Sequence, residues 1–373
     1  MFCTQLQSSI ARIFTMLIVI AIIAGCSSTT EQSGAYRTAD VPRLEIEHVM
    51  SIYEPEDDFI VYVPSVTTTL DGDIILSDSE NNRLMVYDSN GNFKQQIGRA
   101  GSGPGESQHL IDVIVSPDNT LFVADRRQAR TSVFHKPSDE WILDRVLTHP
   151  DNGMFPLVVN GNKSVFRATM SQMPTPGVYT YKHWIAPVDI ESDLVIGDKT
   201  EINDAVYLVS QDGGNFSMLS LPFTSSTLTK GSLDGHVHML KSGESVIQRF
   251  DIQMNLVDSI LIQLNPVPTT IAERDTAIAR RASSFSNLLS ANFPEYKSLA
   301  ESFFVDEAGR YWLSTHDSPK FLLIEADGSP IGSFDLPDGL RLLHVSDGRL
   351  YLTDYRSEQF SIEVYEVALN IAY

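Results

Sequence analysis

Hydrophobic and polar positions follow a grammar that recurs along the chain. Residues 71–98, 118–134, 306–328 and 347–365 each open on a tight turn: Asp71-Gly72, Asp118-Asn119, Ala308-Gly309 and Asp347-Gly348. A short apolar run follows, such as Ile74 to Leu76 or Leu121 to Ala124. It ends near an acid: Asp78, Asp125, Asp317 or Asp354. A polar loop and a second strand come next. In two copies a further turn, Asn90-Gly91 or Asp327-Gly328, starts a third strand. Gly and Asn stand where a hairpin needs positive φ. The apolar runs are nearly continuous, which predicts strands covered on both faces. Blades of a β-propeller meet that condition, because each packs between two neighbours.

Two weaker copies lie in the middle, centred on Asn160-Gly161 and Asp234-Gly235. The turn positions fall at 72, 119, 161, 235, 309 and 348, at intervals of 47, 42, 74, 74 and 39. A period of about 40–47 residues is that of a four-stranded blade. Each long interval then holds one blade plus an insertion, and the count is six. After Gly348 only two strands remain, so the last blade is short of its outer strand. Residues 43–52 (PRLEIEHVMS) read as a strand that precedes the first repeat. This segment is expected to close the last blade and hide two open edges. Between Leu264 and Leu299 the alternation stops, which marks an insertion of about residues 266–298 between the fourth and fifth blades. Residues 269–290 fit a helix, with Ile271, Ile278, Ala282, Phe285 and Leu289 on one stripe. The fold class is therefore all-β, a six-bladed propeller with one helical insertion.

The N-terminus follows another logic. Arg12 precedes an apolar run from Ile13 to Ala24 broken only by Thr15, and Gly25-Cys26 follows. About twelve residues are too few to span a bilayer and suit the core of an export signal. Ile23-Ala24-Gly25-Cys26 resembles the lipobox of bacterial lipoproteins. The resemblance implies cleavage after residue 25, lipidation of Cys26, and three acyl chains that anchor the protein stably. Ser27 in the next position implies sorting to the outer membrane. Residues 26–42 then form the lipidated end and a flexible tether, with Ser27 to Asp40 polar and small, and residues 43–373 form the propeller.

Composition narrows the partners. The chain of 373 residues carries a net charge of -21, and its hydrophobic fraction is 42%. A core is available and global disorder is excluded. Removing residues 1–25 takes away one basic residue and no acid, which leaves -22. Nucleic acid is excluded as a partner, because phosphate binding needs a basic surface. An anionic bilayer surface also repels such a protein, so the lipid does the anchoring. Both cysteines, Cys3 and Cys26, lie near the start, so the folded body has neither a disulfide nor a cysteine metal site.

Three stretches carry a family resemblance. Asn82 to Asp88 (NRLMVYD) resembles the strand of an NHL repeat. Gly98 to Glu106 (GRAGSGPGE) resembles the linker between the first blades of such proteins, and Phe293-Pro294 through Trp312 supplies the third stretch. Together they resemble the six-bladed β-propeller lipoproteins of Gram-negative bacteria, over most of residues 43–369. The resemblance implies fold and envelope location and leaves function open.

Candidate chemistry is sparse. The glycine-rich stretch 98–105 precedes a strand, lacks the helix N-terminus of a phosphate loop, and reads as a connector. His236-Val237-His238 puts two imidazoles on one face of a strand, which can chelate a metal with a third ligand. Asp78, Asp125, Asp317 and Asp354 can converge on the channel mouth, where oxygen ligands suit Ca²⁺, or can cap strand ends. The same rim carries Arg126, Arg127, Arg130, His316, Tyr355 and Arg356, with Arg99 and His109 on the first connector. Cations and aromatics there favour an anionic or sugar-like ligand. No G-x-S-x-G, H-E-x-x-H or C-x-x-C occurs. The leading reading is a non-catalytic module that binds a small molecule or a protein. The alternative is a metal-dependent lactonase or lyase with Ca²⁺ at the channel. A third reading gives the helical insertion a protein partner.

Overall fold

A computed structural model describes residues 35–149, 154–169, 174–192, 194–212, 215–280, 283–357 and 359–369. The export signal, Cys26 and most of the tether lie outside the described residues. Six antiparallel sheets follow one another along the chain. Blade I holds Val66–Thr68, Ile74–Asp78, Arg83–Tyr87 and Phe93–Ile97, and blade II holds Leu110–Val115, Leu121–Asp125, Arg130–His135 and Ile142–Thr148. Blade IV holds Thr227–Gly231, Val237–Lys241, Val246–Phe250 and Leu256–Leu261. Blade V holds Ala300–Val305, Tyr311–Thr315, Phe321–Ile324 and Pro330–Phe334. Blade VI runs Arg341–Ser346, Arg349–Thr353 and Ser361–Val367, and Ile46–Tyr53 completes it. That N-terminal strand pairs antiparallel with the last one, Ile52 opposite Ile362, as the missing outer strand requires. The first strand of each blade touches the first strand of the next, and the sixth touches the first, so the ring closes into a six-bladed β-propeller.

The six turn positions 72, 119, 161, 235, 309 and 348 all have positive φ. The second and third strands of blade I are buried at every residue. Their side chains split between two clusters: Ile74, Leu76 and Met85 pack toward blade VI, and Ile75, Leu84 and Val86 pack toward blade II. Similar clusters fill the other wedges. Each fully buried aliphatic side chain there contributes about 1.5–3 kcal/mol.

Three expectations need correction. Blade III contains Met154–Asn160, Lys163–Thr169, Gly177–Asp189, Thr200–Asp212 and Asn215–Ser220, with the short Leu194–Val195 paired to the third of these. The excess between turns 161 and 235 is therefore length within one blade, whose two central strands have 13 residues each. Second, the insertion forms two helices, α1 (Ile271–Ala279) and α2 (Ser283–Asn292). Thr270 and Glu273 cap α1 reciprocally, and Arg280 is its C-cap. Phe285 and Leu289 are buried against Leu208, Leu219 and Leu221 of blade III. Ile271, placed on the same stripe by its spacing, is 71% exposed, because α1 begins beyond the contact; Ala282 lies outside the described residues. Third, residues 36–42 are held to the body. Tyr36 N donates to Gln263 O at 2.9 Å, Arg37 Nε donates to Asp317 at 3.0 Å, and Thr38 is fully buried. No described helix is long and apolar enough to cross a membrane.

Candidate functional site

In an antiparallel meander, the loops after the second strands and the connectors to the next blade fall at one end of the strands. This connector face carries most of the rim residues singled out by sequence, and the structure spends most of them on holding loops. Asp78 is fully buried and accepts from Arg83 Nε at 3.0 Å, Asn81 Nδ2 at 2.7 Å and Val61 N at 3.3 Å. Asp125 accepts from Gln108 N at 2.7 Å, Arg127 N at 2.9 Å and Gln128 Nε2 at 2.6 Å. Burial pushes its carboxyl up, but these donors outweigh burial and hold it below the usual range. Asp317 is held low by Arg37, and Asp354 by Arg356 and its amide. The four acids do not gather at a channel mouth. Among the described residues, no three His, Cys, Asp or Glu side chains are placed to hold a metal ion.

The cations behave similarly. Arg99 Nε donates to Glu106 at 2.8 Å, and Arg130 donates to the carbonyls of Ser102 at 3.1 Å and Gly103 at 2.6 Å. The glycine-rich connector is thus clamped by a side chain of its own blade. His316 lies between Glu301 and Ser298, each 3.3 Å away, and burial pushes it down. The Tyr355 hydroxyl donates to Val63 O at 2.6 Å, and burial pushes its phenol up to about 12. His109 and Arg126 keep exposed side chains.

His236 and His238 separate. His236 Nδ1 lies 2.9 Å from Asp234, whereas buried His238 sits between Ser232 Oγ at 2.9 Å and the Tyr311 hydroxyl at 3.0 Å. Burial pushes His238 down to about 4 from 6.5. Between those values the unfolded chain binds the proton and the folded protein does not, so stability falls as pH drops. The expected loss is on the order of 3 kcal/mol per such histidine. Urea midpoints of the wild type and His238→Gln between pH 7 and 4 check this. The variant should fall less steeply, and parallel curves would exclude His238 as a source of the acid loss.

A different set of side chains converges on the axis. Each blade contributes one: Thr68, Asp112, Arg167, Lys230, Phe304 and His344 line a central bore of about 340 Å³. Two of them are aimed by β-bulges in the innermost strands, between Leu110 and Asp112 and between Leu342 and His344. His344 Nε2 lies 3.1 Å from Thr68 Oγ1, and burial, with Lys230 nearby, pushes the ring down to about 3. His344 is therefore neutral at pH 7. Lys230 stands over the Phe304 ring at 5.1 Å. Its side chain meets water inside the bore yet is ringed by protein, which lowers its pKa against the pull of Asp112. Arg167 donates to Thr229 Oγ1 at 3.3 Å and lies over the Phe155 ring at 4.9 Å, and its buried Nε has no partner. Asp112 accepts only from the next amide, Val113 N, at 2.9 Å, and burial raises it. A second recess of about 680 Å³ between blades V and VI shares Ser65, Lys230, Phe304 and Leu343 with the bore. The two hollows therefore adjoin. None of its charged groups was singled out by sequence. The available signal was a lone charge inside an inner or adjacent apolar strand, as in LIDVIV and SVFRA.

Residues 52–135 match the family model described as a six-bladed β-propeller, DUF5128. No curated protein matches the chain. Among solved structures, a Bacteroides fragilis protein described as exported is 14% identical with a TM-score of 0.52, over 90% of this chain and 97% of that one. A member of the DUF4221 family from Bacteroides vulgatus is 10% identical with a TM-score of 0.51, over 88% of this chain and 99% of that one. At such identity the likeness is one of fold.

Proposed function

We propose that the protein is a lipid-anchored, NHL-like propeller of the cell envelope, sorted to the outer membrane, that binds a small molecule without catalysis. One observation carries the binding reading. Asp112, Arg167 and Lys230 come from three blades into one bore, and none of them makes a close ion pair among the described residues; they act on one another, and Asp204 on Arg167, only from farther away. Charges held in a protein-lined bore without a close ion pair cost stability, so a fold retains them where a ligand completes them. The acids considered for metal chemistry are instead consumed by loop amides and arginines. The bore has the size of a small ligand site and adjoins a recess on the connector face.

The envelope reading rests on Ile23-Ala24-Gly25-Cys26 and the polar tract after it. In a Gram-negative host the full chain should fractionate with membranes and release only in detergent, whereas Cys26→Ser should leave the membrane fraction. An unchanged distribution of Cys26→Ser would exclude the lipid anchor. For the binding reading, neutral, cationic and anionic small molecules are screened by thermal midpoint and hits are located crystallographically. A hit in the bore supports the reading, and none of any charge there would overturn it.

A further inference from the structure

We infer that the bore takes a compact carboxylate that also carries a hydrogen-bond donor, an α-hydroxy or α-amino acid, with its carboxylate on Lys230 and Arg167 and its donor on Asp112. The inference rests on the binding-module reading and names its ligand class. Charge balance comes first. Lys230 and Arg167 are cationic, Asp112 can supply one negative charge, and His344 is held neutral by burial. The lining also includes Asp306 and Glu307, which are already committed. Asp306 accepts from Arg310 Nε at 2.8 Å, and Glu307 accepts from Ser346 Oγ at 2.6 Å and Asp347 N at 2.8 Å. Neither Lys230 nor Arg167 has a carboxylate within ion-pair distance among the described residues, although Asp112 and, for Arg167, Asp204 act on them from farther away; a ligand carboxylate supplies the close partner even in a protein of net charge -21.

Hydrogen-bond supply comes second. Arg167 makes one hydrogen bond, a long one from a terminal nitrogen to Thr229 Oγ1 at 3.3 Å, and Lys230 Nζ has only the Phe304 ring. A planar carboxylate accepts from both cations at once. Asp112 has the reverse need. As a carboxylate it accepts only from Val113 N, within its own backbone turn, and no side-chain donor reaches it among the described residues. A ligand hydroxyl or ammonium supplies that donor. The rings of Phe155 and Phe304 under the two cations keep the rest of the wall apolar. A volume of about 340 Å³ suits a small molecule.

Calorimetric titration of the full chain in detergent tests the class with four molecules of one size: lactate, alanine, propionate and lactamide. Lactate or alanine should bind about 10- to 100-fold more tightly than propionate, the range set by one hydrogen bond to a charged group. Lactamide, which lacks the charge, should not bind. Which of lactate and alanine prevails tells a hydroxy acid from an amino acid. Lys230→Met should abolish binding, and because Lys230 bonds to no partner the substitution orphans none and the fold should survive. Asp112→Asn should bring lactate and propionate close together. Equal binding of lactate and propionate, binding of lactamide, or unchanged binding by Lys230→Met would overturn the inference. Failure of all four probes would overturn it as well. If the wider screen then places a neutral or cationic compound in the bore, only the ligand class falls; if it places none there, the binding reading falls too.

Discussion

Ile52→Asp is expected to open the ring. Ile52 is fully buried on the N-terminal strand and packs in the wedge between blades VI and I, with Tyr87, Ile362 and Val364. Its loss removes about 1.5–3 kcal/mol of burial, and a carboxylate with no partner in that wedge adds several kcal/mol more. A domain stable by about 5–15 kcal/mol then loses a large part of its margin. The consequence is specific to a closed ring. If Ile46–Tyr53 detaches, Ser361–Val367 becomes an open edge, and the freed strand is a second one that can pair with other molecules. Val49, on the same strand, is 42% exposed, and Val49→Asp should cost less than about 0.5 kcal/mol. Urea unfolding and light scattering of the two variants check this. Equal stabilities would mean that closure by the N-terminal strand contributes little.

The closure was legible in the sequence because it follows from counting. Six turns, each with a residue suited to positive φ, and one blade short by a strand leave one candidate segment, and both signals are local or nearly so. Features set by distant partners were not legible. Residues 36–42 read as tether because nothing near them in sequence is apolar enough to hold them, yet Asp317, 280 positions away, binds Arg37. The long hairpin of blade III reads as an insertion because its strands keep no single period, and the split of the helical segment turns on where blade III stops supporting it.

The candidate site shows the same division. The acids after the second strands were visible as a pattern, but a repeated acid beside a turn is what loop-holding also requires, and that is how Asp78 and Asp125 are used. The bore residues recur in position but not in residue type: Lys230, Phe304 and His344 each stand opposite the third residue after the turn glycine. Asp112, Lys230 and His344 lie on innermost strands and Arg167 on a second strand, they share no residue pattern, and they meet only because the ring closes. A lone charge in a strand marks such a position without saying which others share it.

Arg83→Met should cost about 3–5 kcal/mol, the usual consequence of removing one partner from a buried ionic network. Arg83 donates to Asp78 at 3.0 Å, to both oxygens of Asp58 at 2.6 and 3.0 Å, to Phe59 O at 2.7 Å and to Gln96 at 3.1 Å. It thereby joins blade I to the segment that leads in from the N-terminal strand. Without it, the fully buried Asp78 keeps only Asn81 and one backbone amide. The pH dependence separates charge loss from packing loss. Hydrogen bonds from Arg83 hold the Asp58 carboxyl low, so its share of wild-type stability is present above the unfolded carboxylate pKa of about 4 and is lost as pH falls through the depressed value. The variant has no such share to lose, and its deficit should therefore narrow in acid. Asp78→Asn combined with Arg83→Met should be less damaging than Arg83→Met alone, because no buried charge is left without a partner. Urea midpoints at pH 7 and at about pH 2–3, below the unfolded carboxylate range, distinguish the cases. A constant deficit, with a double variant weaker than the single one, would show that Arg83 acts through its packed aliphatic stem.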